Sequence, residues 1–327
     1  MNQPGEPDAA RRPPPPLPSV PGVEDLEPIG RGGYSVVYRG RQPELGRDVA
    51  VKVITAPGTV DPAADWWRRE MTAMGRLSNH PNIVTAYASG MTGEGSPYLL
   101  LPYVPGGSLQ DRLRREGPLS PDEAVSLGAK LASALSAAHA AGVLHRDVKP
   151  DNVLLSPYGE PQLTDFGIAR LRDATTTAVG LVHATVAYAA PEVLAGEPAT
   201  EVADVYGLAA TLHTCLAGTP PFRSQEEDTL VALLARIATQ PPPDLRALGV
   251  PSELAAVIEG GLAKDPGGRI GSADELRRLL EAAGQAPASV GDRRSPLALD
   301  PQEDEPPTSV VPVAPERASP PALPGRL

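Results

Sequence analysis

The hydrophobic pattern of this chain changes period once, near Gly106-Gly107, and that change restricts it to a fold of two unlike parts. Before the change, Val49, Val51 and Val53 alternate with Ala50, Lys52 and Ile54, the period of a strand, so Ala50 and Lys52 share one face. Leu26 to Tyr38 reads strand, glycine-rich turn, strand, and Pro97 to Val104 reads as a further apolar strand. Asp61-Pro62 supplies a cap and first-turn pair for a helix reaching Leu77. After the change the pattern is helical. Leu109 to Glu116 is a short helix, and Ser120 followed by Glu123 opens a longer one that Gly142 stops. Further helices are expected near 203–217, 226–239, 252–263 and 273–283. A small strand-rich part and a larger helical part, joined near 102–107, leave a cleft where a ligand can bind.

Composition narrows the function classes. A net charge of −11 argues against a nucleic-acid binder, which carries a basic patch or stripe. One cysteine, Cys215, excludes an intrachain disulfide and a Cys-rich zinc site, and fits a reducing cytoplasm. No apolar run reaches the roughly 18 residues of a membrane span; Leu127 to Ala141 comes nearest, but Lys130 and His139 interrupt it. Of the 40 prolines, 18 lie in residues 1–22 and 284–327, which reads both ends as extended or disordered arms outside a folded domain over 23–283. Pro13–Pro16 and the acidic Glu303-Asp304-Glu305 mark these arms. Arg11-Arg12 lacks the apolar stretch that an export signal needs.

Chemistry concentrates in His145-Arg146-Asp147-Val148-Lys149-Pro150-Asp151-Asn152 and in Asp165-Phe166-Gly167, thirteen residues after Asn152. A carboxylate, a cation and an amide on one short loop, near a second carboxylate, suit a metal-bound phosphate and an attacking hydroxyl. Gly30-Arg31-Gly32-Gly33-Tyr34-Ser35 lies between two strands, where its N–H groups can cover phosphates. A dinucleotide loop would lead into a helix; here a strand follows. Lys52 on an apolar strand needs an anion, and Glu70 or a nucleotide phosphate can supply one.

Together the glycine-rich loop, Val49-Ala50-Val51-Lys52, Arg68-Arg69-Glu70 with His80-Pro81-Asn82-Ile83-Val84, His145-Arg146-Asp147, Asp165-Phe166-Gly167 and Ala190-Pro191-Glu192 resemble the protein kinases. In particular they resemble the bacterial eukaryotic-like Ser/Thr kinases, over roughly residues 23–283 and in unbroken motif order. The resemblance implies an α+β, two-lobed fold: a small antiparallel sheet with one helix over 23–101, a hinge over 102–107, and a larger mainly helical lobe over 108–283. It implies ATP and Mg2+ (or Mn2+) as cofactors and proteins as substrates. Asp147 would orient the acceptor hydroxyl, Lys149 would contact the γ-phosphate, and Asn152 and Asp165 would hold metal. Glu70 would position Lys52. The nucleotide would meet Ile29, Gly30, Arg31, Gly32, Gly33, Tyr34, Ser35, Val37, Ala50, Lys52, Leu101, Pro102, Val104 and Leu154, with adenine between Val37 and Ala50 above and Leu154 below. The family commonly has Glu at Pro102; it uses the carbonyl there, which proline keeps. Ser35 replaces the third glycine, and Ala184 stands where glycine precedes the substrate-positioning Thr185.

The resemblance also implies regulation. Thr177, with Thr175 and Thr176, is the expected autophosphorylation site, held by Arg146 and modified through self-association of two copies. Thr308, Ser309 and Ser319 are further acceptors in the tail. Glu192 should pair with Arg269, Asp204 should anchor the catalytic loop, and Met74, Phe166 and His145 should stack between the lobes. Many such kinases continue into a membrane helix; this chain ends without one, which reads either as a soluble enzyme or as a fragment of a longer protein. Two other readings share these motifs: a nucleotide-binding pseudokinase scaffold, and a small-molecule kinase of related fold.

Overall fold

The alternating segments form one sheet. Its strands are β1 (Glu24–Arg31), β2 (Ser35–Gln42), β3 (Arg47–Ile54), β4 (Ala88–Met91) and β5 (Pro97–Pro102), in the order β1-β2-β3-β5-β4 and antiparallel throughout. This computed structural model describes residues 17–32, 35–55, 71, 72, 74–166, 186–223 and 229–285. These lie in one unit, Met1–Ser289; the second, Val290–Leu327, falls outside the described residues.

Period-two geometry sorts β3 into two faces. Val49, Val51 and Val53 pack with Val36, Tyr38, Tyr98 and Leu100 on one. Ile54, Leu99 and Leu101 pack on the other, with Ala50 against them. Lys52 shares the Ala50 face, opposite Val37 on β2 and Leu99 on β5, and is only 5% exposed. The strand β4 has no counterpart in the sequence reading. Its Ala-Ser-Gly-Met run lacks apolar alternation, and Gly90 is there because a Cβ would stand 2.8 Å from the Tyr98 hydroxyl. The proline-rich arm expected over 1–22 needs correction at its described end. Val20 is 5% exposed and joins the outer cluster, because the sheet offers it an apolar face. Of the helix expected to end at Leu77, residues 71, 72 and 74–77 are described and helical.

The helical part comprises α1 (Leu109–Glu116), α2 (Pro121–Ala140), α3 (Pro191–Leu194), α4 (Glu201–Ala217), α5 (Leu230–Thr239), α6 (Ser252–Gly261) and α7 (Ala273–Gln285), with a two-stranded ribbon of β6 (Val153–Leu155) and β7 (Pro161–Leu163). Capping boxes start α1 and α2, from Ser108 with Asp111 and from Ser120 with Glu123. Gly142, at φ +74°, lets the chain leave α2 in the left-handed region. The helix α4 is buried from Asp204 to Leu216, and α2, α6 and α7 pack around it. Small residues permit close crossings: a Cβ on Gly128 of α2 would sit 2.9 Å from Leu212 and Leu280, and one on Gly261 of α6 2.6 Å from the Ala209 Cβ. Burial pushes the Cys215 thiol up to about 12, which makes it a packed hydrophobe. Among the described residues, no helix is long and apolar enough to cross a membrane.

Two seams join the sheet to the helical part. At the hinge, Leu155 N–H donates to the Gly107 carbonyl at 3.1 Å, and a Cβ on Gly106 would stand 2.9 Å from the Leu155 carbonyl oxygen. Behind the sheet, Asn82 donates through Nδ2 to the Pro161 carbonyl at 2.8 Å and accepts from Leu163 N–H at 2.8 Å. Val84 N–H then donates to the Leu163 carbonyl at 2.9 Å. The motif His80–Val84 is thereby stitched to β7, which leads directly to Asp165.

Candidate active site

The loop after α2 carries the first cluster of charged groups, and α4 holds its shape. Asp204, 2% exposed, accepts from the N–H groups of His145 at 2.8 Å and Arg146 at 2.7 Å. Its Oδ2 also meets His139 Nε2 at 2.8 Å. Two consecutive amides on one carboxylate keep Arg146 at φ +67°, a left-handed conformation that costs a non-glycine residue about 1–2 kcal/mol. The chain leaves this bend with Asp147 turned towards Lys149 and Asn152. Lys149 Nζ donates to both Asp147 oxygens, at 3.1 and 2.9 Å. Asn152 Nδ2 donates to the Asp147 carbonyl at 2.7 Å and to Oδ2 at 3.1 Å. Pro150 starts the single 3-10 turn that brings Asn152 back under the aspartate.

The second cluster comes from β3 and from the end of β7. Thr164 N–H donates to the Asn152 carbonyl at 3.0 Å, which fastens this segment to the first loop. Asp165 follows at φ +71°, and its Oδ1 lies 2.6 Å from Lys52 Nζ. Burial works to raise the Asp165 carboxyl; the Lys52 charge and hydrogen bond, helped by His145 and Lys149, outweigh it and hold the group below its ordinary value. Phe166 is fully buried and its ring lies 4.6 Å from that of His145. Burial lowers the His145 pKa against the pull of Asp204, Asp147 and Asp165, so the ring is neutral packing. Met74 is buried in the sheet-side cluster with Leu99 and Leu101.

The expected purine walls converge. Ala50 from β3, Leu101 from β5 and Leu154 from β6 meet at one apolar cluster, although they are far apart in sequence. Val37 lies opposite Lys52 and is partly buried. Pro102 ends β5, and the half-buried Val104 accepts the Gly107 N–H at 3.2 Å. In the glycine-rich loop Ile29 is 47% exposed, and Gly30, Arg31 and Gly32 are exposed. Ser35 is buried, with its carbonyl accepting Gly32 N–H at 2.8 Å. Gly33, Tyr34, Glu70, Gly167, Thr175, Thr176, Thr177 and Thr185 lie outside the described residues. Further down the helical part, Arg269 grips Glu192 with two bonds of 2.7 and 2.9 Å and also donates to the Val202 and Ala263 carbonyls. Burial raises the Glu192 carboxyl, but the Arg269 bond outweighs it and keeps the group ionised.

The donor set suits a hard divalent cation that also takes phosphate oxygens. Among the described residues, no three acidic, His or Cys side chains form a cage of their own. Asp165 Oδ2 and Asn152 Oδ1 are oxygens not engaged by the bonds above, one anionic and one neutral. Such ions commonly take one or two carboxylates and leave the remaining positions to water and phosphate.

Residues 23–279 match the model of the protein kinase domain. The chain belongs to the protein kinase family. It is 45% identical over 282 residues to the serine/threonine-protein kinase PknK of Mycobacterium tuberculosis (strain ATCC 25618 / H37Rv), covering 85% of this chain and 25% of that protein. It is 37% identical over 300 residues to PknH of the same strain, covering 90% and 46%, and 39% identical over 254 residues to PknD, covering 77% and 38%. The chain thus spans between a quarter and a half of these relatives. A crystal structure of Rad53 residues 1–466 with AMP-PNP superposes with a TM-score of 0.65 at 26% identity, over 79% of this chain and 64% of that one.

In this kinase domain three positions escaped the sequence reading. His139 sits on the hidden side of Asp204; a His at a helix end carries no local signal of such a partner. Asn82 joins the lobes, and only its place in the His80–Val84 motif hinted at a role. Gly207 lets α4 pass behind the loop over 145–152, since a Cβ there would stand 3.0 Å from the Val148 Cβ and 3.1 Å from its carbonyl oxygen.

Proposed function

We propose that this chain transfers the γ-phosphoryl group of ATP to serine or threonine hydroxyls of proteins, using Mg2+, with Mn2+ as a substitute. The observation that carries the reading is the convergence of Asp147, Lys149 and Asn152 on one loop with the Lys52–Asp165 contact of 2.6 Å across the lobes. Phosphoryl transfer needs alignment and charge neutralisation more than covalent chemistry. In this reading Asp147 orients the acceptor hydroxyl and takes its proton on the carboxylate. Lys149 neutralises charge on the group in flight. Lys52, held by Glu70, steadies the nucleotide phosphates beneath the loop over 30–35. Asn152 and Asp165 hold the metal, which when bound neutralises phosphate oxygens. Adenine lies between Val37 and Ala50 on one side and Leu154 on the other, with Leu101 behind and the backbone of Pro102 and Val104 at its edge. Ile29 closes the outer rim.

Lysine at position 149 favours Ser/Thr over Tyr acceptors, following the family resemblance. Arg146, next to the catalytic aspartate, is positioned in sequence to bind a phosphate on Thr177, Thr175 or Thr176, added by a second copy; Thr185 then positions the substrate. A cytoplasmic location accords with the single thiol, Cys215. A nucleotide-binding scaffold is disfavoured, because Lys52, Asp147 and Asp165 are all retained. The test is transfer of labelled γ-phosphate to a generic acceptor protein, followed by identification of the modified amino acid. Label on serine or threonine supports the reading; bound ATP with no transfer supports the scaffold, and label only on a metabolite supports a small-molecule kinase.

A further inference from the structure

Residues 17–23 cross the outer face of the sheet, and one serine fastens them there. Ser19 N–H donates to both carboxylate oxygens of Glu94, at 3.2 and 3.1 Å. The Ser19 carbonyl accepts from Gly93 N–H at 2.8 Å. Val20 and Val23 then sink into the apolar cluster that contains Val36, Tyr38 and Val53. Two glycines clear the path: a Cβ on Gly93 would stand 3.1 Å from the Ser19 Cβ, and one on Gly40 2.5 Å from Val23 Cγ1. Beyond this tie, Pro18 walls a cavity of about 500 Å³ whose floor is Val36, Tyr38 and Val53. Arg31 and Gly32 of the glycine-rich loop line the same cavity. The strap and the phosphate flap therefore share a cavity.

Ser19 itself is exposed, and among the described residues its hydroxyl has no hydrogen-bond partner. Its N–H and carbonyl are tied and Val20 beside it is buried, so it enters a second copy's cleft when the strap lifts transiently, and the phosphate then keeps the strap from refastening. We propose that Ser19 is a phosphoacceptor for a second copy of this chain, and that its phosphate unfastens the strap from Glu94. The proposal rests on the Ser/Thr kinase reading. In the step, the bond from the γ-phosphorus to the bridging oxygen of ADP breaks and a bond to Ser19 Oγ forms. The hydroxyl proton passes to the Asp147 carboxylate of the acting copy and then to water. The product places close to two negative charges beside a carboxylate and offers the Ser19 N–H a nearer acceptor. Glu94 is ionised at neutral pH like any exposed carboxylate, and the Ser19 N–H holds its carboxyl below the ordinary value. Repulsion and competition then act on the same bond.

Gly93 N–H reports on the latch directly, because its acceptor is the Ser19 carbonyl. The experiment treats the full chain with Mg2+ and ATP, maps its phosphopeptides, and follows hydrogen exchange at Gly93 in wild type, in Ser19→Ala and in protein carrying encoded phosphoserine at position 19. Wild type, but not Asp147→Asn, should gain phosphate on Ser19. Phosphoserine should speed Gly93 exchange by about tenfold or more, the response of a locally opened segment. Ser19→Ala should keep its slow exchange after ATP treatment. Wild type that labels a generic acceptor yet leaves Ser19 bare overturns the proposal and leaves the kinase reading standing. Phosphoserine-19 protein with wild-type exchange at Gly93 also overturns it. Failure to label any protein removes the kinase reading, and this proposal with it.

Discussion

Removing the Asp204 carboxylate should unfasten the loop over 145–152 before it touches any group proposed to react. Asp204→Ala strands the His145 and Arg146 amides and the His139 ring, which now bond to it at 2.8, 2.7 and 2.8 Å. A buried donor left unpaired costs about 1–3 kcal/mol, so three together should cost roughly 3–9 kcal/mol of a total near 5–15 kcal/mol. Asp204→Asn keeps the shape but has one oxygen. Its best orientation leaves that oxygen between His145 and His139 and turns the NH2 group onto the Arg146 N–H. One charge-assisted bond is then lost, about 1.5–3 kcal/mol. The released amide belongs to the residue held at φ +67° beside Asp147, so the loop should relax there. Urea unfolding should rank wild type above Asn above Ala. Phosphotransfer by the Asn variant should fall about tenfold or more while ATP affinity stays within about twofold. Variants within about 0.5 kcal/mol of wild type, or Asn as damaging as Ala, would refute this accounting.

Other outcomes follow from separate observations. Among the described residues Lys264 Nζ is buried without a hydrogen-bond partner, 3.5 Å from the centre of the Phe222 ring, and burial, with Arg269 nearby, lowers its pKa from 10.5 to about 8. The folded state thus binds fewer protons than the unfolded one between those values, so stability should rise as pH climbs from about 8 to 10.5. Lys264→Met should flatten that rise in a pH series of unfolding curves and stabilise the protein by about 1 kcal/mol at neutral pH, a figure reduced for partial exposure. The Asp165 carboxyl has the opposite sign. Its depressed folded pKa contributes stability that is complete above 3.8 and is lost as pH falls through the lower folded value. Lys52→Met removes the largest lowering influence, so acid unfolding should begin at higher pH; an unchanged acid limb would count against the pairing. Gly207→Ala should press a methyl on Val148 and cost about 1–3 kcal/mol, with a lower kcat at unchanged KM for ATP.

Much of this arrangement was legible because its signals are local. The capping boxes at Ser108 and Ser120 and the alternation through β3 depend only on residues a few positions apart. The charged site was legible through family resemblance, because its spacing within each loop is short. What stayed hidden depends on contacts between distant segments. The strand β4 exists because β5 offers it an edge, its own small residues giving no period. Val20 looks like part of a proline-rich arm until the apolar face of the sheet is known. His139 and Gly207 matter only through α4, which passes behind a loop about 60 residues away in sequence.

The most direct measurement compares nucleotide affinity with turnover in two variants. If Asp147 acts on the acceptor and Asp165 on the metal–phosphate end of one ATP, the two losses should separate. Calorimetry with Mg2+ and ATP should find near wild-type binding for Asp147→Asn, whose phosphotransfer should drop by about a thousandfold or more. Asp165→Asn should lose the magnesium-dependent part of ATP binding as well as transfer. Wild-type turnover by Asp147→Asn, or undiminished Mg2+-dependent binding by Asp165→Asn, would contradict the assignment of these residues to a single phosphoryl-transfer site.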